Sequence, residues 1–368
     1  RTTRLTKASR VATLDAVFML VYALALPVHG ALADGNLSSF HVAYATCALL
    51  GTAATAAVAL RLFASEDSSD EAFVIVLALW ATHAGVSAAL WPLAYGAAMR
   101  DIDAASFPAR WKRRVAVVWS LNGQLGDILG CVVAAAPTRI VGPLFWRVVA
   151  AASIPLLTTL CVHRVGEERP RATVDTLASD TVAMEPCGAS TADANPVPPT
   201  QVRLLWIAYA ACSSSIKILT YSLSNWLPYR APSAYLAYAA TGFAGTLCAS
   251  IGERAQISLR IAGGAVLALG AASAWHAAPF TAVVLLGLCT SYIETSFQIL
   301  ATARAAELCT RQKAYATTSA FLDCIGTLVC ALVQWTVCAR AGSLPTLTMC
   351  SVVVIATACC AMHRLERV

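Results

Sequence analysis

A lysine lies inside an apolar stretch of the chain, CSSSIKILTYSLSNWLP, which contains Lys217. At helical spacing Ser213, Thr220 and Tyr221 share its face, so hydroxyl groups surround the ammonium. An ionisable side chain within a membrane span is costly and is read first as a functional site. We expect Lys217 to bind an anion such as phosphate. The alternatives are neutralisation by a buried carboxylate such as Asp15, and extension of the side chain to the membrane surface.

Other polar side chains within apolar stretches are candidates for the same site or for helix packing. Glu294 and Gln298 are four residues apart, so they share a helix face that we expect to line a cavity. Asp127 follows Gly126, and Asp323 precedes Gly326 by three residues. Small residues beside a carboxylate are typical of close helix packing with the acid bonded across it.

Two further side chains are open to a structural or a functional interpretation. Asp15 lies near the start of its apolar segment, where interaction with a helix end is the alternative to contact with substrate. His83, in ALWATHAGVSAALWP, is interpreted as a core histidine, with a ligand or proton-relay role as the alternative.

The composition excludes most soluble classes of protein. The chain has 368 residues, of which 58% are hydrophobic and 12% charged, and its mean hydropathy is +0.66. A soluble domain has about 25% charged residues, and one core cannot hide this apolar excess, so the surplus must face lipid. The 14 cysteines are scattered through apolar stretches without ligand spacing. We therefore expect no metal and no cofactor, and the lack of a catalytic motif predicts that the chain is not an enzyme.

Apolar stretches of about 20 residues predict an all-α polytopic membrane protein with about eleven spans. They lie near 11–33, 40–63, 72–99, 115–136, 141–163, 202–227, 232–250, 257–275, 278–300, 313–338 and 344–362. The interval 164–201, rich in Pro, Ser, Thr and acids, predicts a disordered cytoplasmic linker. The linker divides the apolar segments into two predicted helical bundles, residues 1–163 with five spans and residues 202–368 with six. This is the arrangement of transporters built from two similar halves.

Several motifs resemble those of the organophosphate:phosphate antiporter family of the major facilitator superfamily, most closely the eukaryotic sugar-phosphate exchangers of the glucose-6-phosphate translocase type. One is LWPLAYGAAM followed by a basic run and VWSLNGQLGDILG, which contain Trp91, Pro92, Trp119, Asn122 and Asp127. The others are TLDAVFMLVYALALPVHGALADG, KILTYSLSNWLP and ARAAELCTRQKAYATTSAFLDCIGTL, in the family's order over about residues 11–335.

The resemblance implies a two-bundle fold of twelve helices, and the family's first helix has no counterpart in this chain. It also implies that Lys217 is the seventh-helix residue that binds substrate phosphate. The arginines that the superfamily carries after Asp34 are replaced by Gly35-Asn36-Leu37, and Cys324 and Thr327 replace expected glycines. These departures suit a divergent or truncated member of the family.

The resemblance therefore implies a transporter that exchanges a phosphorylated sugar or related organophosphate for inorganic phosphate. We expect Lys217 to bind the phosphoryl group, and the remaining cavity-lining candidates are Tyr221, Trp119, Asn122, Glu294 and Gln298. The residues expected to serve structure or gating are Asp15, Asp127, Asp323, Trp91 and Pro92. The alternatives are a carrier of another organic anion and a non-transporting sensor or scaffold of the same fold. The resemblance alone implies an endomembrane such as the endoplasmic reticulum.

The distribution of Lys and Arg predicts the topology and supplies a first test. Taken together, the loops after the first, third, fifth, seventh and ninth segments carry more Lys and Arg than the loops on the opposite side. Because basic residues concentrate in cytoplasmic loops, we expect those loops to lie in the cytoplasm. The sequon Asn36-Leu37-Ser38 is then cytoplasmic and carries no glycan. The electrophoretic mobility of the protein from a eukaryotic host should not change on endoglycosidase treatment, whereas a shift would invert the topology.

Overall fold

The computed structural model describes most of the predicted apolar segments. The described residues are 7–35, 50–51, 53–55, 57, 70–104, 110–135, 199–226, 231–251, 257–275, 277–309, 315–336 and 344–366. The predicted span 141–163, most of the span 40–63 and nearly all of the linker 164–201 lie outside these ranges. The disorder of that linker and the two-bundle division of the chain therefore stay predictions.

All of the long elements in the described part of the chain are α-helices, which confirms the all-α prediction. The helices are α1 (Lys7–Gly35), α2 (Asp70–Ser87), α3 (Leu90–Ala104), α4 (Arg110–Ala135), α5 (Pro199–Trp226), α6 (Ala231–Ile251), α7 (Ile257–Ser273), α8 (Pro279–Cys309), α9 (Tyr315–Thr336) and α10 (Leu344–Glu366). Their ends fall within several residues of the predicted segments, except at the C-terminal end of α8 and in the region of α2 and α3.

The predicted segment 72–99 is divided into α2 and α3 by a turn at Ala88 and Ala89. Pro92 lies in the first turn of α3 and is buried. A proline has no N–H to donate, and its ring would clash with the carbonyl four residues earlier, that of Ala88. The helix therefore ends before the proline and starts again around it.

The outward faces of the helices are apolar, as a lipid environment requires. On α1 the exposed residues Leu24, Val28 and Leu32 recur every four residues and are 58–59% exposed. Within the described residues, five helices are long and apolar enough to cross a membrane. A protein with these faces is an integral membrane protein, because such a stripe in water would be strongly unfavourable.

The helices before residue 136 meet those after residue 198 most closely where α1 packs along α9. A Cβ atom at Gly30 would lie 2.8 Å from both the Cβ of Ala320 and the Cα of Thr317. On α3, a Cβ at Gly96 would lie 2.6 Å from the Cβ of Ala316. The start of α9 is therefore held between two helices that can approach only because these positions lack a side chain.

The side chain of Asp34 adds hydrogen bonds to the contact between α1 and the start of α9. Its Oδ1 accepts a hydrogen bond from the amide of Ala316 (3.1 Å), and its Oδ2 accepts one from the amide of Thr317 (2.7 Å). These amides belong to the first turn of α9, where backbone N–H groups have no partner within the helix. A carboxylate at this end also interacts favourably with the helix dipole.

A second contact joins α4 to α6 and α8. Gln124 of α4 donates a hydrogen bond from Nε2 to the Ser291 hydroxyl of α8 at 3.0 Å. Gly242 of α6 lies directly beside both side chains, and a Cβ there would overlap them. The α1–α9 and α4–α6–α8 contacts together hold the N-terminal helices (α1–α4) against the C-terminal helices (α5–α10).

We expect Gly30→Ala to destabilise the protein, because its methyl group would overlap α9. Overpacking of this kind costs about 1–3 kcal/mol. The matched control is Gly263→Ala on α7, where a Cβ has nothing within 4 Å and the change removes a flexible residue from a helix. Thermal melting in detergent should give a lower midpoint for Gly30→Ala and an unchanged or higher one for Gly263→Ala. Equal midpoints for the two variants would contradict the close α1–α9 packing.

Candidate functional site

A cavity of about 430 Å³ lies between the N-terminal and C-terminal helices, with both sets contributing to its wall. Its lining combines aromatic, neutral polar and charged side chains from six helices: Phe18, Met19 and Tyr22 of α1; Trp91 of α3; Ser120, Gly123, Gln124 and Asp127 of α4; Tyr209 and Lys217 of α5; Glu294 and Gln298 of α8; and Asp323 and Thr327 of α9. A concave site with a few convergent polar groups is typical of small-molecule binding.

Lys217 lies in this wall and is bonded to α9. Its Nζ is 2.7 Å from Oδ1 of Asp323 and donates a hydrogen bond to Oγ1 of Thr327 at 2.6 Å. The Thr327 hydroxyl donates in turn to the backbone carbonyl of Asp323 at 2.8 Å. Asp323 thus neutralises the ammonium, and Asp323 and Thr327 together orient it from one turn of α9.

The close approach of α5 and α9 makes this pair possible. A Cβ at Gly326 would lie 2.8 Å from the Cβ of Ser213, one helical turn from Lys217. Asp323 is therefore an acid bonded across a small-residue helix contact, as the sequence around it predicts. The sequence suggested Asp15 as an example of a carboxylate that could neutralise Lys217. In the structure the partner is Asp323 instead.

Glu294 and Gln298 both line the cavity from one face of α8. Gln298 donates a hydrogen bond from Nε2 to the Tyr209 hydroxyl at 3.0 Å. Glu294 interacts electrostatically with Lys217, Asp323 and Asp127. Among the described lining residues the cavity therefore holds one ammonium and three carboxylates.

On α4, the residues that line the cavity follow helical spacing. Ser120, Gly123, Gln124 and Asp127 are three or four residues apart and share one face. The Oε1 atom of Gln124 is buried without a hydrogen-bond partner in the described structure. Asn122 is two residues from both Ser120 and Gln124, so it lies on another side of the helix and is exposed there.

The structure brings together several of the predicted residues and leaves others apart. The cavity is lined by Lys217, Glu294, Gln298, Asp127, Asp323 and Trp91. Asn122, Asp15 and Pro92 lie outside the lining, and the side chains of Trp119 and Tyr221 lie outside the described part of the structure. The substrate-binding roles expected of some of these candidates, and the structural or gating roles expected of the others, stay predictions.

His83 is packed away from the cavity. Its Nδ1 is 2.9 Å from the Thr55 hydroxyl, and its ring lies beside Phe18 and Trp80. Its Nδ1 is thus bonded and its ring packs against two aromatic side chains, which favours the core interpretation of this histidine over a ligand role.

Sequence reasoning missed several residues of the wall. Tyr209 is eight positions before Lys217, with Ser213 midway, so the same helical face passes through all three. Thr327 is four residues after Asp323, and Gln124 is three before Asp127. Helical spacing from the residues already singled out would have found them.

Comparisons with known proteins identify the fold. No protein-family model matches the chain, and no curated protein matches it either. Among solved structures, it is similar to the crystal structure of the human organic anion transporter MFSD10 (TETRAN). The TM-score is 0.52 and the sequence identity is 15%, over 94% of this chain and 83% of that one. The helices of this chain, packed around a cavity between two sets, therefore have the major facilitator fold.

Proposed function

We propose that this protein is a transporter that exchanges a phosphorylated sugar or a related organophosphate for inorganic phosphate by alternating access. The observation that supports this most directly is the position of Lys217. It presents an ammonium to a cavity between two sets of helices, at 24% exposure of its side chain. An ammonium is a compact charge with several donors that suits a phosphoryl group.

Binding of a phosphoryl group would proceed by exchange of the partner of Lys217. In the present arrangement Asp323 holds the ammonium, so an incoming anion must take the place of the carboxylate. Charge-assisted hydrogen bonds to a phosphoryl oxygen are comparable in kind to those that Asp323 makes. The lysine is therefore neutralised both before and after binding.

The other polar groups of the wall suit the remainder of such a substrate. Tyr209, Gln298 and Gln124 provide neutral donors and acceptors for sugar hydroxyls. Trp91 and Phe18 provide apolar faces in the same wall. Alternating access would come from rocking of α1–α4 against α5–α10, with the α1–α9 and α4–α6–α8 contacts as the places where the two sets separate.

A carrier for another organic anion is the second candidate, because the similar solved structure is described as an organic anion transporter. A carboxylate would use the same ammonium. Competition by unlabelled organophosphates and by unlabelled carboxylates against labelled phosphate separates these two substrates. A non-transporting sensor of the same fold would bind without any flux. The resemblance in sequence favours an endomembrane such as the endoplasmic reticulum as the location.

Lys217→Ala should abolish exchange of labelled phosphate in phosphate-loaded proteoliposomes, because no described lining residue replaces the ammonium. The matched control is Arg203→Ala, which removes a cation from the exposed face of the same helix. Wild-type uptake should be competed by glucose 6-phosphate, and the control should behave as the wild type. Undiminished exchange by Lys217→Ala, in protein that is correctly inserted, would overturn the assignment of this site.

Asp323→Ala should lower the thermal stability in detergent more than the double variant Lys217→Ala/Asp323→Ala does. The single change leaves an ammonium without its carboxylate, and breaking a buried pair in this way costs about 3–5 kcal/mol before allowance for partial exposure. Removal of both charges takes away the uncompensated ammonium. Melting curves of the two variants and the wild type give the comparison. A double variant less stable than the single one would show that the pair does not determine this stability.

A further inference from the structure

The charges that line the cavity do not balance, and the excess is negative. The described lining holds one ammonium, that of Lys217, and the carboxylates of Asp127, Glu294 and Asp323. Lys217 and Asp323 form an ion pair at 2.7 Å, which leaves two carboxylates over. Neither of these two has an ion pair or a side-chain hydrogen bond with another described residue. Because charge without a counter-ion is costly within a membrane protein, this part of the wall favours a positively charged ligand.

The two spare carboxylates lie close to one hydrogen bond between α4 and α8. Gln124 of α4 donates from Nε2 to the Ser291 hydroxyl of α8 at 3.0 Å. Asp127 is three residues after Gln124, and Glu294 is three residues after Ser291, so each carboxylate is about one helical turn from that bond. Asp127 is exposed and Glu294 is partly exposed, and both line the cavity. A ligand in the cavity can therefore reach both of them.

Aromatic side chains in the same cavity wall also suit a cation. Phe18, Tyr22 and Trp91 line it together with the carboxylates. The face of an aromatic ring attracts an ammonium group, and the attraction is larger where water is excluded. Among the described residues, no group of three or more His, Cys, Asp or Glu side chains is arranged to hold a metal ion. This lining therefore favours an organic ammonium over an inorganic cation.

Binding of an anion at Lys217 increases the negative excess. In the proposed exchange of partners the anion takes the place of Asp323, so that carboxylate loses its counter-ion. A phosphomonoester adds about 1.5 to 2 negative charges at neutral pH. A substrate that brings its own positive group offsets part of this charge, whereas an uncharged sugar does not.

We infer that the preferred substrate is a zwitterion, an organophosphate whose phosphoryl group binds Lys217 and whose ammonium group binds Asp127 and Glu294. This inference rests on the proposed function and narrows its substrate class to organophosphates that carry an amino group, such as amino-sugar phosphates. Both charged ends of such a ligand have a partner of opposite charge within one cavity. A sugar phosphate without the amino group has such a partner only at Lys217.

Glucosamine 6-phosphate and glucose 6-phosphate are a matched pair of ligands, because they carry an amino group and a hydroxyl group at the same carbon atom. Each competes against labelled phosphate in phosphate-loaded proteoliposomes at pH about 6.5, below the ordinary pKa of an amino group. For the wild type, glucosamine 6-phosphate should compete at a concentration about tenfold lower, since a hydrogen bond to a charged group is typically worth that factor. Equal competition, or stronger competition by glucose 6-phosphate, would overturn the inference.

The double variant Asp127→Asn/Glu294→Gln removes both spare charges with little change of shape. It should lose the preference, because competition by glucosamine 6-phosphate weakens while competition by glucose 6-phosphate stays within a few-fold of the wild type. The matched control is Glu71→Gln, which removes an exposed carboxylate from the first turn of α2, outside the cavity lining, and should keep the preference. A preference retained by the double variant would overturn the assignment of the ammonium to these two carboxylates. The wild-type comparison decides on the zwitterion even if the double variant fails to insert.

The same assay distinguishes failure of this inference from failure of the proposed function. Exchange that both sugar phosphates inhibit equally would leave the proposed function standing and remove the zwitterion. Exchange that neither sugar phosphate inhibits, or no exchange of labelled phosphate at all, would remove both.

Discussion

An ammonium within a membrane protein needs a negative partner, and the ion pair between Lys217 and Asp323 supplies it here. The pair requires α5 and α9 to approach closely, which Gly326 and Ser213 permit. It also determines what the cavity can bind, since a ligand for Lys217 has to compete with a carboxylate that is already in place. The packing of the C-terminal helices and the chemistry of the site thus depend on one contact.

Helix α9 connects this contact to the boundary between the two sets of helices. Its first turn is held by Asp34 of α1, and its middle carries Asp323 and Thr327. A change of the partner of Lys217 therefore acts on the same rigid helix that Asp34 anchors. This gives a physical route by which occupancy of the cavity could alter the contact between the two sets of helices, because α9 takes part in both the ion pair and the contact with α1.

The sequence predicted helix positions well and the contacts between them poorly. Hydropathy placed the apolar segments because length and polarity are local properties. The lysine site followed from Lys217 alone, but its partner did not. Asp323 is more than a hundred residues away, and the glycine beside it indicates an acid bonded across a helix contact without indicating to which residue. Asn122 was expected to line the cavity but lies on another side of α4. The type of a residue does not show which face of its helix is turned inward. Pro92 did carry a local signal for the break between α2 and α3.

The bonds that Asp34 makes to the start of α9 have a consequence for leakage across the membrane. If α1 withdrew from α9, the amides of Ala316 and Thr317 would lose their acceptor in surroundings where only water could replace it. The two helices can therefore part at this end only as water arrives. Separation and wetting become a single event, and a dry, half-open intermediate at this boundary is disfavoured.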